Sequence, residues 1–291
     1  MDEFFEKGMG WIPDTPDFRD LTVEHKDIKP LMEKIGIADP ISELPGKADL
    51  RPWCSPIEDQ MQLGSCTANA GVGMVEYFER KAFGKHIDAS RLFLYKATRN
   101  LMHQKGDTGA ELRTTMKSLV LFGVPPEEYW PYTDKTPNFD VEPTAFCYAF
   151  AENYKTIQYL RLDPPNTSPD EILKRIKTNL AAGLPSMFGF TVYSSIWQAK
   201  DGKIPYPCPK EKVEGGHAIM AVGYDDSVEI QNPGCNNKTR GALLIRNSWG
   251  TKWGDKGYGW LPYDYVLKGL ATDWWTLIKG DWVDTDVFGP D

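Results

Sequence analysis

The sequence lacks any run of about 20 consecutive apolar residues, so nothing in it reads as a membrane-spanning helix. Its first residues, MDEFFEKGMGWIPD, are acidic and hold no apolar stretch, which argues against a cleavable secretory signal. The expectation is a cytoplasmic protein or one exported by a route without such a signal. Lys and Arg number 33 against 41 Asp and Glu, a net charge of −8. That deficit of cations argues against non-specific nucleic-acid binding, which is driven by basic side chains on phosphate. Cysteine is sparse, with five in all, and no two have C-x-x-C spacing. They are too few for a disulfide framework, and the odd number leaves at least one thiol free. Which of Cys54, Cys147, Cys208 and Cys235 pair is left open, although Cys208 and Cys235 flank late strands and could approach. The four histidines stand apart, so no metal site and no cofactor are expected. There is neither an internal repeat nor a low-complexity tract.

What is present is an ordinary globular composition, 41% hydrophobic and 25% charged, in 291 residues. Residues 1–47 differ from the rest. Pro13, Pro16, Pro30, Pro40 and Pro45 lie among charges, with one short helical candidate at 29–35, and the stretch reads as an extended arm. Apolar spacing predicts helices over 66–83, 90–102 and 109–123. Small residues Ala68, Ala70, Gly71 and Gly73 on the first would let another element approach closely. Ser168-Pro169-Asp170-Glu171 is a capping box opening a helix that should stop near Gly183. Strands are expected at 156–162, 184–192, 217–224, 242–246 and 257–261. Helices early and strands late suggest an α+β fold.

The segment Asp59-Gln60-Met61-Gln62-Leu63-Gly64-Ser65-Cys66 carries the chemistry. Cys66 opens a predicted helix with Ser65 as a candidate N-cap, and a helix N-terminus favours thiolate, the nucleophilic form. The Gln60 amide, folded back beside the Cys66 N–H, would make a two-donor hole for a developing oxyanion. Gly215-Gly216-His217-Ala218-Ile219 puts a histidine at the start of an apolar strand, and Arg246-Asn247-Ser248-Trp249-Gly250 puts an asparagine at the end of another. Imidazole is the base a thiol needs, an Asn oxygen can orient it, and Trp249 can shield their contact from water.

These segments, SPIEDQMQLGSCTANA, GDTGAELRTTMKSLVLFGV, GGHAIMAVGYD and IRNSWGTKWGDKGYGWL, resemble the papain family of cysteine peptidases, and in particular its xylellain-like bacterial branch. The resemblance extends from about Ala48 to Thr276, in the family's order. It implies a two-lobe fold, with a helical lobe over about 60–150, a β-barrel-like lobe over about 151–280, and a cleft between them. The arm of 1–47 would then precede a peptidase domain of 48–291. By the same resemblance Cys66 is the nucleophile, His217 the general base and then acid, Asn247 the orienter and Gln60 an oxyanion donor. Gly109, Ala110, Glu111, Gly216, Trp249 and Asp273 line the substrate cleft, with Asp273 at the floor of the pocket for P2, the second residue before the cut. A carboxylate there would favour Lys or Arg at P2. The expected substrates are proteins or peptides, and the expected state is a monomer.

The chain also departs from the family's pattern. Leu63 and Lys268 replace cysteines, Thr67 replaces an aromatic residue, and the stretch 225–241 is longer than usual. The arm is too short for the usual inhibitory prodomain. Gly10-Trp11-Ile12-Pro13-Asp14 resembles the arm of xylellain-like members, where a cleft-side, regulatory position is implied; packing behind the lobes is the other reading. Two further functions compete with an endopeptidase. One is acyl transfer or exopeptidase trimming by the same thiol, the latter favoured if 225–241 blocks one end of the cleft. The other is a non-catalytic binding protein on the same scaffold.

Overall fold

The computed structural model describes residues 7–37, 43–155, 158–279, 281, 285, 287 and 288. In chain order these form α1 (Lys29–Lys34), β1 (Lys47–Asp49), α2 (Cys66–Phe83), α3 (Arg91–Leu101), α4 (Leu112–Leu121) and α5 (Ala145–Ala151). Then follow β2 (Gln158–Arg161), α6 (Pro169–Ala181), β3 (Ser186–Tyr193), β4 (Val213–Asn232), β5 (Asn237–Arg246), β6 (Tyr258–Pro262), α7 (Asp264–Leu267) and β7 (Ala271–Ile278). Helices precede strands, as the patterning implied. The first two residues of the strand expected at 156–162 lie outside the described residues, as do 1–6 and 38–42 of the arm.

The helices start and stop for local reasons. Ser90 caps α3 by accepting the Phe93 N–H at 3.1 Å, and Ser168 caps α6 by accepting that of Glu171 at 3.3 Å. The Glu171 carboxylate turns along the helix to Arg175 at 2.5 Å. At the end of α2, Gly84 takes a left-handed conformation with φ 70°, which a side chain would disfavour. A Cβ at Gly71 would come within 3.2 Å of both Leu94 and Thr115, so its absence lets α3 and α4 close onto α2.

The strands form one antiparallel sheet in the order β2-β7-β3-β4-β5-β6, with β1 added on β4. Among the described residues the sheet does not close, so the barrel-like lobe is an open sheet with β2 and β6 at its ends. Four elements escaped the patterning, among them the three-residue β1 and the four-residue α7. The strand β7 is buried along nearly its whole length and so shows no alternation, and α5 is only 7 residues long. The stretch 225–241 is largely strand rather than loop: Glu229 to Asn232 pair with Arg240 to Asn237, and Cys235 beyond them is bonded to Cys208. Cys54, Cys66 and Cys147 are free. Helix α2 packs against β4, which carries the N-terminal Cys66 of the one toward His217 of the other.

Candidate active site

Asn247 directly follows β5, and His217 lies in β4, the neighbour of β5 in the sheet. His217 Nε2 and Asn247 Oδ1 are 2.8 Å apart, and the backbone N–H of Ser248 donates to the same Oδ1 at 2.8 Å. An oxygen already accepting from Ser248 is a carbonyl acceptor, so His217 Nε2 must carry the proton. The lone pair is thereby placed on Nδ1, which is buried and has no hydrogen-bond partner. Trp249 stacks on the imidazole with centroids 4.6 Å apart and planes at 22°, and Trp197 stacks on Trp249 at 5.7 Å. The indole covers the Asn247–His217 contact as the sequence suggested.

Gln60 is held against the same segment. Its backbone N–H donates to Ser248 O at 2.8 Å, and Asp59 pairs with Trp249 in an antiparallel bridge. The Ser248 hydroxyl donates to Gln60 Oε1 at 2.5 Å, which fixes which side of the amide carries the N–H groups. Gln60 Nε2 then donates to Leu63 O at 2.8 Å and to Gly8 O at 2.9 Å. Ser248 was missed as a site residue, although its place between Asn247 and Trp249 could have signalled it.

Cys66 is the first residue of α2 and is fully buried. Ser65 does not cap the helix with its side chain; its hydroxyl meets Tyr132 and the amide of Asn69 instead. Burial pushes the Cys66 thiol up to about 12, against the opposing pull of the backbone N–H groups of Ala218, Thr67, Cys66 and Trp11. Burial likewise lowers the His217 imidazole to about 4, although the Asn247 contact favours its charged form. Burial thus favours the uncharged form of both groups, and Nδ1 makes no hydrogen bond to Sγ.

The arm lies over these residues. Gly8 N–H donates to Met61 O at 2.9 Å, and Gly8 O accepts from Gln60 and from the Trp249 indole at 3.2 Å. Trp11 N–H donates to Gly216 O at 3.2 Å. Ala110 N–H donates to Gly10 O at 2.8 Å, and Ile12 N–H to Ala110 O at 3.0 Å. Gly10 and Gly8 are obligatory: a Cβ would lie 2.1 Å from Gly64 O at the first and 2.0 Å from Leu63 O at the second. Lys7 pairs with Asp59 at 2.6 Å on one side of this passage. On the other side Arg113 pairs with Asp14 and, at 2.8 Å, with Asp20.

The remaining expected cleft residues divide. Gly109, Ala110 and Gly216 present backbone to the arm, and a Cβ at Gly109 would meet Gly10 O at 2.3 Å. Glu111 precedes α4, and its carboxylate accepts the Thr114 hydroxyl at 2.7 Å. Asp273 is buried beneath Trp11, whose indole N–H donates to its Oδ2 at 3.1 Å. Its Oδ1 accepts the Trp275 indole N–H at 2.7 Å and stands 3.3 Å from Arg161. Burial still raises the Asp273 carboxyl to about 6, outweighing Arg161 and the two indoles. Arg161 and Trp275 were not singled out from the sequence, because nothing local marks a lone Arg or Trp as a pocket residue. Among the described residues no His, Cys, Asp and Glu group of three or more could hold a metal ion, and no helix is long and apolar enough to cross a membrane.

Comparison with known proteins agrees with this geometry. The profile of the papain family cysteine proteases matches residues 44–272. The crystal structure of xylellain, a cysteine protease from Xylella fastidiosa, superposes with a TM-score of 0.76 at 34% identity, covering 94% of this chain and 96% of that one. A peptidase C1-like protein of Acanthamoeba polyphaga mimivirus is 35% identical over 285 residues, 93% of this chain and 86% of its own length. Cathepsin K of Gallus gallus is 27% identical over 227 residues, 76% of this chain and 60% of the relative. Aleurain of Arabidopsis thaliana is 29% identical over 223 residues, 75% of this chain, which spans little more than half, 55%, of that protease. The chain belongs to the papain family of cysteine proteases.

Proposed function

We propose that this protein is an endopeptidase that cuts peptide bonds through an acyl-thioester on Cys66. His217 Nδ1 takes the thiol proton as Sγ attacks the carbonyl carbon, then gives it to the departing amine nitrogen. A water deprotonated by the same Nδ1 attacks the thioester, releasing the acid and restoring the thiol. Asn247 holds the tautomer this requires. Gln60 Nε2 and the Cys66 N–H receive the oxyanion. The observation that carries the reading is the buried, unpartnered Nδ1 of an imidazole whose other nitrogen is fixed by Asn247.

Residues 48–291 form the peptidase domain in this reading, and residues 1–47 are its intramolecular regulator. The arm occupies the Gln60 amide with its Gly8 carbonyl and the Ala110 backbone with Gly10 and Ile12, so a substrate must displace it. The exopeptidase alternative would need the 225–241 stretch across one end of the cleft; the end of that hairpin is tied to 206–211 through Asn232, Tyr206, Glu211 and the Cys208 bridge. The basic P2 preference expected from Asp273 competes with the Arg161 guanidinium, which stands 3.3 Å from that carboxylate and also faces Asp163 and Asp20.

The test is labelling with the epoxide E-64. The unaltered chain should take one equivalent, and Cys66→Ala none, with its peptidase rate lowered roughly 10⁴-fold or more. Labelling that persists in Cys66→Ala, or an unchanged rate, refutes the assignment.

A further inference from the structure

The arm leaves an imprint of what the cleft binds. Trp11 is buried, with its indole lying flat where two strands carry no side chain. A Cβ at Gly189 of β3 would fall 1.9 Å from ring atom Cε2 and 2.1 Å from Cδ2. One at Gly216 of β4 would stand 3.1 Å from Cε3. Any residue but glycine at position 189 would therefore evict the ring. Beneath the ring, Asp273 Oδ1 accepts the Trp275 indole N–H with Arg161 Nη1 3.3 Å away, and Oδ2 is the oxygen that faces the occupant.

This arrangement discriminates by charge and by donor count. A guanidinium or ammonium at Oδ2 would be buried near the Arg161 cation, which stands 3.3 Å from the other oxygen of the same carboxylate. A guanidinium also needs two acceptors for its fork, and only one faces the site. An indole brings a flat bicycle for the glycine gap, no charge, and one N–H for one oxygen. A plain aromatic or aliphatic side chain would fill the gap but leave Oδ2 without its donor, which is costly when buried.

We infer that the pocket formed by Gly189, Gly216 and Asp273 is a tryptophan pocket, and that the enzyme selects substrates with tryptophan at P2. The inference rests on the peptidase reading for the word P2, but the pocket itself can be tested without catalysis. In the full-length chain carrying Trp11→Ala, indole should bind the vacated site and raise the melting temperature by about 3 °C near saturation. 1-Methylindole, which lacks the N–H, and methylguanidinium should each give less than half that shift. An absent indole shift, or an equal or larger one from methylguanidinium, overturns the pocket assignment.

The second measurement uses the unaltered chain, so it holds even if Trp11→Ala fails to fold. Fluorogenic dipeptides with arginine fixed at P1 and Trp, Phe, Leu or Arg at P2 should rank with Trp first, roughly 10-fold above Arg in kcat/KM. Arg or Leu equal to Trp overturns the selectivity while leaving the peptidase reading intact. Selective indole binding without turnover of any peptide or labelling by E-64 leaves the pocket standing and overturns the peptidase reading.

Discussion

The row of Gln60, Cys66, His217 and Asn247 and the pocket beneath Trp11 both lie under the arm and are held by different forces. The row is fastened by neutral groups from contiguous sequence: Asn247, Ser248 and Trp249 position His217 and Gln60 through amide, hydroxyl and ring contacts. Among the described residues no charged side chain is bonded to the thiol or the imidazole, and burial favours the uncharged form of each. The pocket is instead assembled around ions. Arg161 reaches Asp273 at 3.3 Å, Asp163 at 2.9 Å and Asp20 of the arm at 3.6 Å, and Asp163 also accepts the Asp273 and Trp274 N–H groups. The contrast teaches a division of labour. Groups that must change charge during a reaction are set by weak, neutral, directional contacts, whereas a recognition surface that must not change can be braced with buried ion pairs.

That contrast can be broken at several places. If Gln60 serves the row as an oxyanion donor, Gln60→Ala should lower kcat on the order of 10²-fold with little change in KM. A loss confined to KM would make it only a substrate contact. If the arm alone keeps the thiol neutral, Trp11→Ala in the full chain should speed iodoacetamide alkylation of Cys66 at pH 7 roughly 10-fold. A thiol raised to about 12 is almost wholly protonated at that pH, and solvent returning to the cleft moves it back toward its ordinary value. An unchanged alkylation rate would mean that the cleft walls, not the arm, bury the sulfur.

The smallest effect concerns the pocket. Asp273 holds its proton up to about pH 6 in the folded chain, against an ordinary carboxyl of 3.8. Between those values the folded state binds the proton more tightly than the unfolded state, so this group's contribution to stability falls as pH rises through the window. Asp273→Asn should remove part of that fall, read as a urea midpoint that declines less from pH 4 to 6.5 than in the unaltered chain. A steeper decline in the variant would show that Arg161 outweighs burial at this carboxylate.

Much of the row was readable in advance because its chemistry is written in short strings. Gln60 and Cys66 share one loop and helix start, and Asn247, Ser248 and Trp249 are consecutive. The early helices were likewise visible, their apolar residues recurring at helical spacing and their ends marked by Ser90, Ser168 and Gly84. The strand β7 was not, since burial on both faces erases the alternation that marks a strand. Asp273 was legible only in part. As a lone carboxylate in a string it implied a cation, and only the fold supplies Arg161, Trp275 and Trp11 around it.

By itself the amino-acid sequence determined the family, the residue types proposed here as nucleophile, base and orienter, and the helix-then-strand order. Those depend on local spacing and on side-chain chemistry that does not change with the neighbours. Only the tertiary structure decided that the arm threads the cleft, that burial beneath it favours the uncharged thiol and imidazole, and that Asp273 faces an indole. Charge state and pocket shape depend on what lies within a few ångströms in space, and here those neighbours come from the arm, β2, β3, β4 and β7, segments far apart along the chain.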